Sequence, residues 1–192
     1  HADGDELARN PWDYLPISPE KAYVTRYDRW PGNSEHGDVI VLDPRASSIT
    51  TPVGKRIAIA PSVELLDPGY SVHPARGVVA GDRAYVTTVN ATLDYTYAAS
   101  SLVVLDTGTD EIVAVRELTG LHDCTGIALS PSGDELAISC SGDLEANGDP
   151  SLGTAGVVLV DRETLSENKR YSAVDLGGGV SGFSLSYAAE RS

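Results

Sequence analysis

One five-residue run occurs three times along the chain: KAYVT at Lys21 to Thr25, RAYVT at Arg83 to Thr87 and, more loosely, ELAIS at Glu135 to Ser139. A repeat constrains a chain more than any single motif, because each copy needs neighbours to bury its apolar sides. After each run and a loop comes a short apolar stretch closed by Asp: GDVIVLD (Gly37 to Asp43), SLVVLD (Ser101 to Asp106) and GVVLVD (Gly156 to Asp161). Further extended segments follow at Ser48 to Val53, Glu111 to Leu118 and Arg170 to Leu176, and others lead into the runs at Trp12 to Ser18, Gly77 to Ala80 and Gly126 to Ser130. A fourth copy of the leading segment stands at Gly182 to Ser186, GFSLS beside GIALS.

These runs are rich in Val, Ile, Leu and Tyr and are bounded by Gly, Pro, Asn and Asp, which is how strands are punctuated. No segment sustains a 3.6-residue period, so the fold class is all-β. Each unit predicts four antiparallel strands, here a, b, c and d. Strands a and b are joined by Pro19-Glu20, Gly81-Asp82 and Pro131 to Asp134, where Pro presets φ and Gly tolerates positive φ. A register shared by the repeats sets Ile17 against Ala22, Val79 against Ala84 and Leu129 against Leu136. The offset is 62 from Tyr23 to Tyr85 and 52 from Tyr85 to Ala137. With loop insertions removed, the unit falls near the ~40 to 45 residues of a β-propeller blade. Blades are expected at about residues 10–60, 74–119 and 123–177, with a fourth beginning at about 180–192.

The AYVT runs, the PSGDEL hairpin at Pro131 to Leu136 and the VLD-turn-EI units resemble the YVTN type of β-propeller repeat. The stretch NPWDYLPISPEKAYVTRYD, Asn10 to Asp28, is the closest local match. The likeness is to secreted or lipid-anchored propellers of bacterial surfaces, in the wider lactonase-like and quinoprotein-like group. It implies an extracytoplasmic location, periplasmic, secreted or at the cell surface. It also implies a ring closed by six to eight blades, of which this chain supplies about three and a quarter. The chain contains no Met, and the expectation is a segment of a longer propeller, or a half ring that closes on a second copy.

Fourteen Lys and Arg against 28 Asp and Glu leave a formal charge of −14, which repels nucleic acid and anionic membranes on average. No run approaches the ~18 apolar residues of a membrane span. In the propeller arrangement the b to c and d to a loops share one face. The b to c loops at about Arg29 to His36, Asn90 to Ser100 and Ser141 to Ala155 are long, as is the first d to a connection, Gly54 to Arg76. Long loops of this kind are where function concentrates. The ligand-face candidates are therefore Trp30, His36, His73, Arg76, Tyr95, Tyr97 and His122. The leading expectation is an interaction module for a protein, glycan or small molecule, with no catalytic residue assigned.

Two rival chemistries fit the same face. Asp143, Glu145, Asn147 and Asp149, with Gly148, match the opening of a calcium loop, in which oxygen ligands alternate and Gly allows the turn. Thr154 stands where that loop would need a bidentate Glu, and an unoccupied solvated loop is the competing reading. All four His, His1, His36, His73 and His122, fall on the proposed face; the resemblance then implies a channel-mouth enzyme, lactonase-like or dependent on a metal or haem, with His73, His122 and Arg76 as its nearest candidates. Asp43, Asp106 and Asp161 are expected to cap the c to d turns. The shared register sets Cys140 across from Thr125 and sends Cys124 and Cys140 to opposite sheet faces, whereas a one-residue slip would bring them together as a disulfide.

Overall fold

The computed structural model describes residues 10–27, 37–46, 55–63, 69–145, 151–180 and 183–187. Its twelve strands form three four-stranded antiparallel sheets, each laid down in chain order. The first contains β1 (Pro11–Ser18), β2 (Lys21–Arg26), β3 (Asp38–Leu42) and β4 (Lys55–Ala58). The second contains β5 (Ser71–Ala80), β6 (Arg83–Ala91), β7 (Tyr97–Asp106) and β8 (Glu111–His122). The third contains β9 (Cys124–Leu129), β10 (Glu135–Cys140), β11 (Gly156–Asp161) and β12 (Glu167–Ser172). A single 3-10 turn at Ala60–Ser62 is the only helical element among the described residues, and none of their helices is long and apolar enough to cross a membrane.

The sheets pack through their leading strands, β1 against β5 and β5 against β9. Between the first and second sheets lie Leu15, Tyr23, Val39, Ile57, Val86, Val103 and Leu105. Between the second and third lie Tyr85, Leu102, Val104, Leu136, Ile138 and Val158. Successive residues of β6 and β7 thus feed different cores, which explains why these strands read as unbroken apolar runs. The trailing strands β8 and β12 carry Glu, Lys and Arg on exposed positions, as suits sheet edges.

Each VLD aspartate closes its turn. Asp106 Oδ1 accepts the Gly108 and Thr109 N–H groups, both at 2.9 Å, and Asp161 Oδ1 accepts those of Glu163 (3.1 Å) and Thr164 (2.7 Å). Asp43 Oδ1 accepts the Arg45 N–H at 2.9 Å. These hydrogen bonds hold all three carboxyls below the ordinary aspartate range; at Asp43 the largest comes from the Arg45 side chain, and at Asp106 and Asp161 from the backbone of Thr109 and Thr164.

Val79 pairs with Ala84 and Leu129 with Leu136 as the shared register requires, but Pro16, not Ile17, faces Ala22. A bulge between Pro16 and Ser18 takes Ile17 out of the pairing. Other boundaries also move. The fourth strand of the first sheet is Lys55–Ala58, while Ser48 to Val53 lies outside the described residues. Within the Gly54 to Arg76 connection, Ser71 onward already belongs to β5. The fourth strand of the third sheet ends at Ser172, short of the expected Leu176. Asp175 Oδ2 accepts the Ser172 N–H (2.9 Å) and Leu176 N–H reaches Ser172 O (3.2 Å), turning the chain there. Residues 183–187 form no strand.

A second bulge decides the cysteines. From Leu136 to Ser139, β10 pairs with β9 in the expected register; the pairing then jumps a residue, so that Cys140 faces Cys124 and Thr125 is passed over. The two sulfurs form a disulfide across 16 residues of sequence. The expectation that the cysteines point to opposite faces fails at this one residue, because a bulge inverts the parity of everything beyond it. Closing a loop of this length restrains the unfolded chain by about 3 kcal/mol. Replacing both Cys124 and Cys140 by Ser is expected to lower unfolding free energy in urea by roughly that amount. Thiol titration of the denatured wild-type chain should find no free sulfhydryl.

Candidate functional site

The three sheets solve one problem three ways at the end where strand b passes to strand c. In the first sheet Arg26 pairs with Asp38 across β2 and β3, through Nε to Oδ1 (2.6 Å) and Nη2 to Oδ2 (2.5 Å), and Arg56 also bonds Asp38. Asp38 and Arg26 are both buried. In the second sheet the equivalent pair is Thr88 and Ser101, with Ser101 N–H donating to Thr88 Oγ1 (3.1 Å) and Thr88 Oγ1–H to Asn90 Oδ1 (3.1 Å). In the third, Cys140 faces Gly156 on one side and is bonded to Cys124 on the other. A Cβ at Gly156 would press on Tyr171 O, and one at Gly37 would come within 2.5 Å of the Pro74 ring and 2.6 Å of Arg26 O. Backbones approach too closely at this end for a larger residue. Asn90 opens the sequon Asn90-Ala91-Thr92, yet it is 1% exposed and its Nδ2 donates to Ala99 O at 2.6 Å, so it stays a structural residue.

The leading strands are bulged at this same level: at Trp12 in β1, at Ala75 and Arg76 in β5, and at Thr125 in β9. Bulges re-aim side chains. The Trp12 ring stacks on Tyr27, with centroids 4.6 Å apart, and Tyr27 stacks on His73 at 4.7 Å. His73 Nδ1–H donates to Tyr27 O at 2.6 Å, which fixes its ring against the stack. Beyond this three-ring column lies a cavity of about 270 Å³ lined by Tyr27, Ser71, His73, Thr92, Leu93 and Tyr95. Tyr95 is 69% exposed at a φ of +62°, in a tight turn held by Thr92 N–H to Thr96 O (2.9 Å) and Thr96 N–H to Thr92 Oγ1 (3.0 Å). A positive φ is costly for an aromatic residue, and here it turns the ring outward from the sheet end.

A second cavity, of about 470 Å³, is lined by Tyr97, Asp123, Ser141, Leu144, Val180 and Phe183. Beside it, His122 Nδ1–H donates to Asp143 Oδ1 at 2.8 Å, while Asp143 Oδ2 accepts the Thr154 hydroxyl at 3.2 Å and Asp143 N–H donates to Thr154 Oγ1 at 2.9 Å. The Ser141 to Ala155 loop is thus closed at its neck. Burial pushes the Asp123 carboxyl above the ordinary aspartate range; a hydrogen bond with Ser141 opposes this and the negative charge of Asp143 adds to it. Tyr97 is raised as well, by burial first and then by Asp123, Tyr95 and Asp143, whose charges reach it across the same sheet end.

His73, Tyr95, Tyr97, His122 and Asp143 therefore come to one end of the sheets: His73 and Tyr95 line the first cavity, Tyr97 lines the second, and His122 and Asp143 stand beside the second. His73 and Tyr97 do so from strands, because β5 and β7 run further than their apolar runs alone suggest. Arg76 stands exposed on the β5 bulge and lines neither cavity. Glu145 is exposed and apart from Asp143's partners. Trp30, His36, Asn147 and Asp149 lie outside the described residues. Among the described residues no group of three or more His, Cys, Asp or Glu is placed to hold a metal ion. Sequence reasoning does not single out Trp12, Tyr27 or Asp123. The signal was present for the first two, since they flank the ends of the first a to b hairpin; for Asp123 there was none.

A carboxyl raised on folding binds its proton more tightly in the native state. It costs stability at neutral pH, and that cost disappears as pH falls through its folded value toward the unfolded one. Asp123→Asn, which keeps the shape, the Ser141 contact and tolerance of the local φ of +50°, is expected to raise Tm at pH 7. The gain should fade below about pH 4, near the ordinary aspartate value, in paired thermal melts across pH.

No family model matches the chain, and no curated protein matches it. Among solved structures, Kuenenia stuttgartiensis hydrazine synthase aligns at 15% identity with a TM-score of 0.37, over 85% of this chain and 49% of that one. The chain spans about half the length of that structure.

Proposed function

We propose that the chain is a segment of an extracytoplasmic, YVTN-type β-propeller whose b to c and d to a face binds a ring-bearing ligand. Support for the propeller reading comes from four-stranded sheets laid down in chain order, packed face to face through their leading strands. Recurrent bulges at one level of those strands add to it. In this reading β1, β5 and β9 line a central channel, and the two cavities open beside its mouth. Asp143, the first residue of the calcium loop of the sequence reading, stands at this same end.

The observation that carries the ligand reading is the Trp12, Tyr27 and His73 column leading into a cavity rimmed by the exposed Tyr95. Flat, rigid rings offer large contact area at little entropic cost, and they suit a sugar ring or another flat apolar face. Neutral oligosaccharides fit the chain better than polyanions, given its −14 charge. Calorimetric titration with cello-, chito- and malto-hexaose is expected to find saturable binding to at least one, weakened about tenfold or more in Tyr95→Ala, the loss of roughly one stacking contact at 1.4 kcal/mol. Absence of binding to all three, or unchanged affinity in the variant, rejects the reading.

The His122 and Asp143 pair beside Asp123 favours a second reading, a lactonase-like hydrolase or a metal- or haem-dependent oxidoreductase at the same face. A histidine oriented by a carboxylate, next to a carboxyl held toward its protonated form, is an acid and base arrangement. Absence of lactone hydrolysis by the wild-type chain would dismiss the hydrolase, and hydrolysis that persists in His122→Ala would dismiss this pair as its site.

A further inference from the structure

At the opposite end of the sheets, where the a to b and c to d turns lie, the repeats allow a direct internal comparison. Asp106 and Asp161 start equivalent turns: Thr107 N–H donates to Asp82 O (2.9 Å) and Arg162 N–H to Asp134 O (2.8 Å). Four residues on, Asp110 N–H returns to Asp106 O and Leu165 N–H to Asp161 O, both at 2.9 Å. Asp110 and Leu165 also share a left-handed backbone, with φ of +60° and +57°. Asp is readily tolerated there and Leu is not. The two turns share these hydrogen bonds and a left-handed fifth residue, and where Asp110 contacts the preceding sheet the later copy has Leu165.

Between the first and second sheets that position carries a carboxylate. Asp110 Oδ1 pairs with Lys21 Nζ and accepts the Tyr23 hydroxyl at 2.5 Å, while Lys21 Nζ also donates to Thr107 O at 2.6 Å. Between the second and third sheets the cation and the phenol recur as Arg83 and Tyr85, but Leu165 replaces the acid. The junction contains a cavity of about 450 Å³ lined by Arg83, Tyr85, Val104, Val113, Arg162 and Leu165. Among the described residues the Tyr85 hydroxyl has only a long contact, 3.4 Å, to Arg162 O. Arg162 Nε is buried and finds no acceptor among the described residues. Arg83 folds back onto Asp106 of its own sheet (Nη1 to Oδ2, 2.7 Å), where Lys21 reaches forward. The acids at the rim, Asp82 and Glu163, are 81% and 74% exposed in their side chains and already face Arg83 and Arg162.

We propose that this cavity binds the carboxylate of an external ligand in the place that Asp110 fills one junction earlier. Arg83, the Tyr85 hydroxyl and Arg162 supply donors, and Val104, Val113 and Leu165 take an apolar substituent of roughly branched-aliphatic size. Guanidinium groups suit a carboxylate because they offer paired N–H donors in a plane. The ligand is a small apolar monocarboxylate, free or at the C-terminus of a peptide.

The test measures Tm at pH 7 and constant ionic strength in sodium 4-methylpentanoate, in 4-methylpentanamide with sodium chloride, and in sodium chloride alone. A parallel pair uses acetyl-Ala-Leu as free acid and as amide. Binding to the native state alone raises Tm by about 2–4 °C at several times Kd, so the acids should do this and the amides should not. A shift with the fatty acid alone identifies a free carboxylate; a shift with the dipeptide acid alone identifies a peptide terminus. Leu165→Asp rebuilds the Lys21, Asp110 and Tyr23 arrangement from within and should abolish the shift. Tyr85→Phe, which keeps the ring in its core, should weaken the carboxylate at least fivefold, and this variant decides the matter if Leu165→Asp does not fold. Equal melting of the wild-type chain in carboxylate and chloride overturns the proposal, as does an undiminished shift in Tyr85→Phe.

Discussion

Leu102 and Val104 leave β7 toward the third sheet, while Val103 and Leu105 leave it toward the first, and all four are buried. Strands β6 and β7 of the middle sheet therefore turn neither face to water. Each fully buried Val or Leu there contributes about 1.5–3 kcal/mol, against about 1 kcal/mol for a hydrogen bond of the ladder. Everything else in the structure is arranged around keeping three such sheets in contact along β1, β5 and β9. Asp13 shows how local that arrangement is. Its backbone N–H donates to Thr25 in its own sheet (3.0 Å), and its carboxylate accepts the Gly77 N–H of the next (2.9 Å).

The hairpins were legible because their signals are local. The AYVT runs, the VLD aspartates and the Pro or Gly turns each act within a few residues, and the structure places strands b and c close to where those signals fall. Of the fourth strands, β8 begins at Glu111 as its EIV run suggests, whereas β12, reading ENKRYS, faces water and carries no apolar period to detect. Bulges were invisible for a different reason. Thr125 is passed over without any mark in its residue type, yet this one omission turned two cysteines toward each other. The candidate site was legible only as a set of loops. That Tyr95, Tyr97 and His122 share a sheet end follows from topology, but the stacking of Tyr27 on His73 depends on packing across sheets, and the positions of Trp12 and Asp123 depend on bulges in their own sheets.

Repetition makes differences informative. At one register position the three sheets carry an ion pair, a hydroxyl and amide network, and a disulfide with a glycine neighbour. Interchangeable chemistries at one place mean that the fold requires closure there rather than a particular residue. At the opposite end the contrast runs the other way, because one turn geometry is preserved while a carboxylate in one copy becomes an aliphatic side chain in the next.

The neck at Asp143 and Thr154 carries a consequence for how such a chain can change. Hydrogen bonds between these two residues pin the ends of the loop beside β10 and β11. The cost of lengthening a loop whose ends are already held grows only with the logarithm of its length. Residues between the two anchors can then be inserted, lost or exchanged as a cassette, with the sheets below insulated from the change. New surface can be acquired at this rim one loop at a time, without the scaffold having to fold anew.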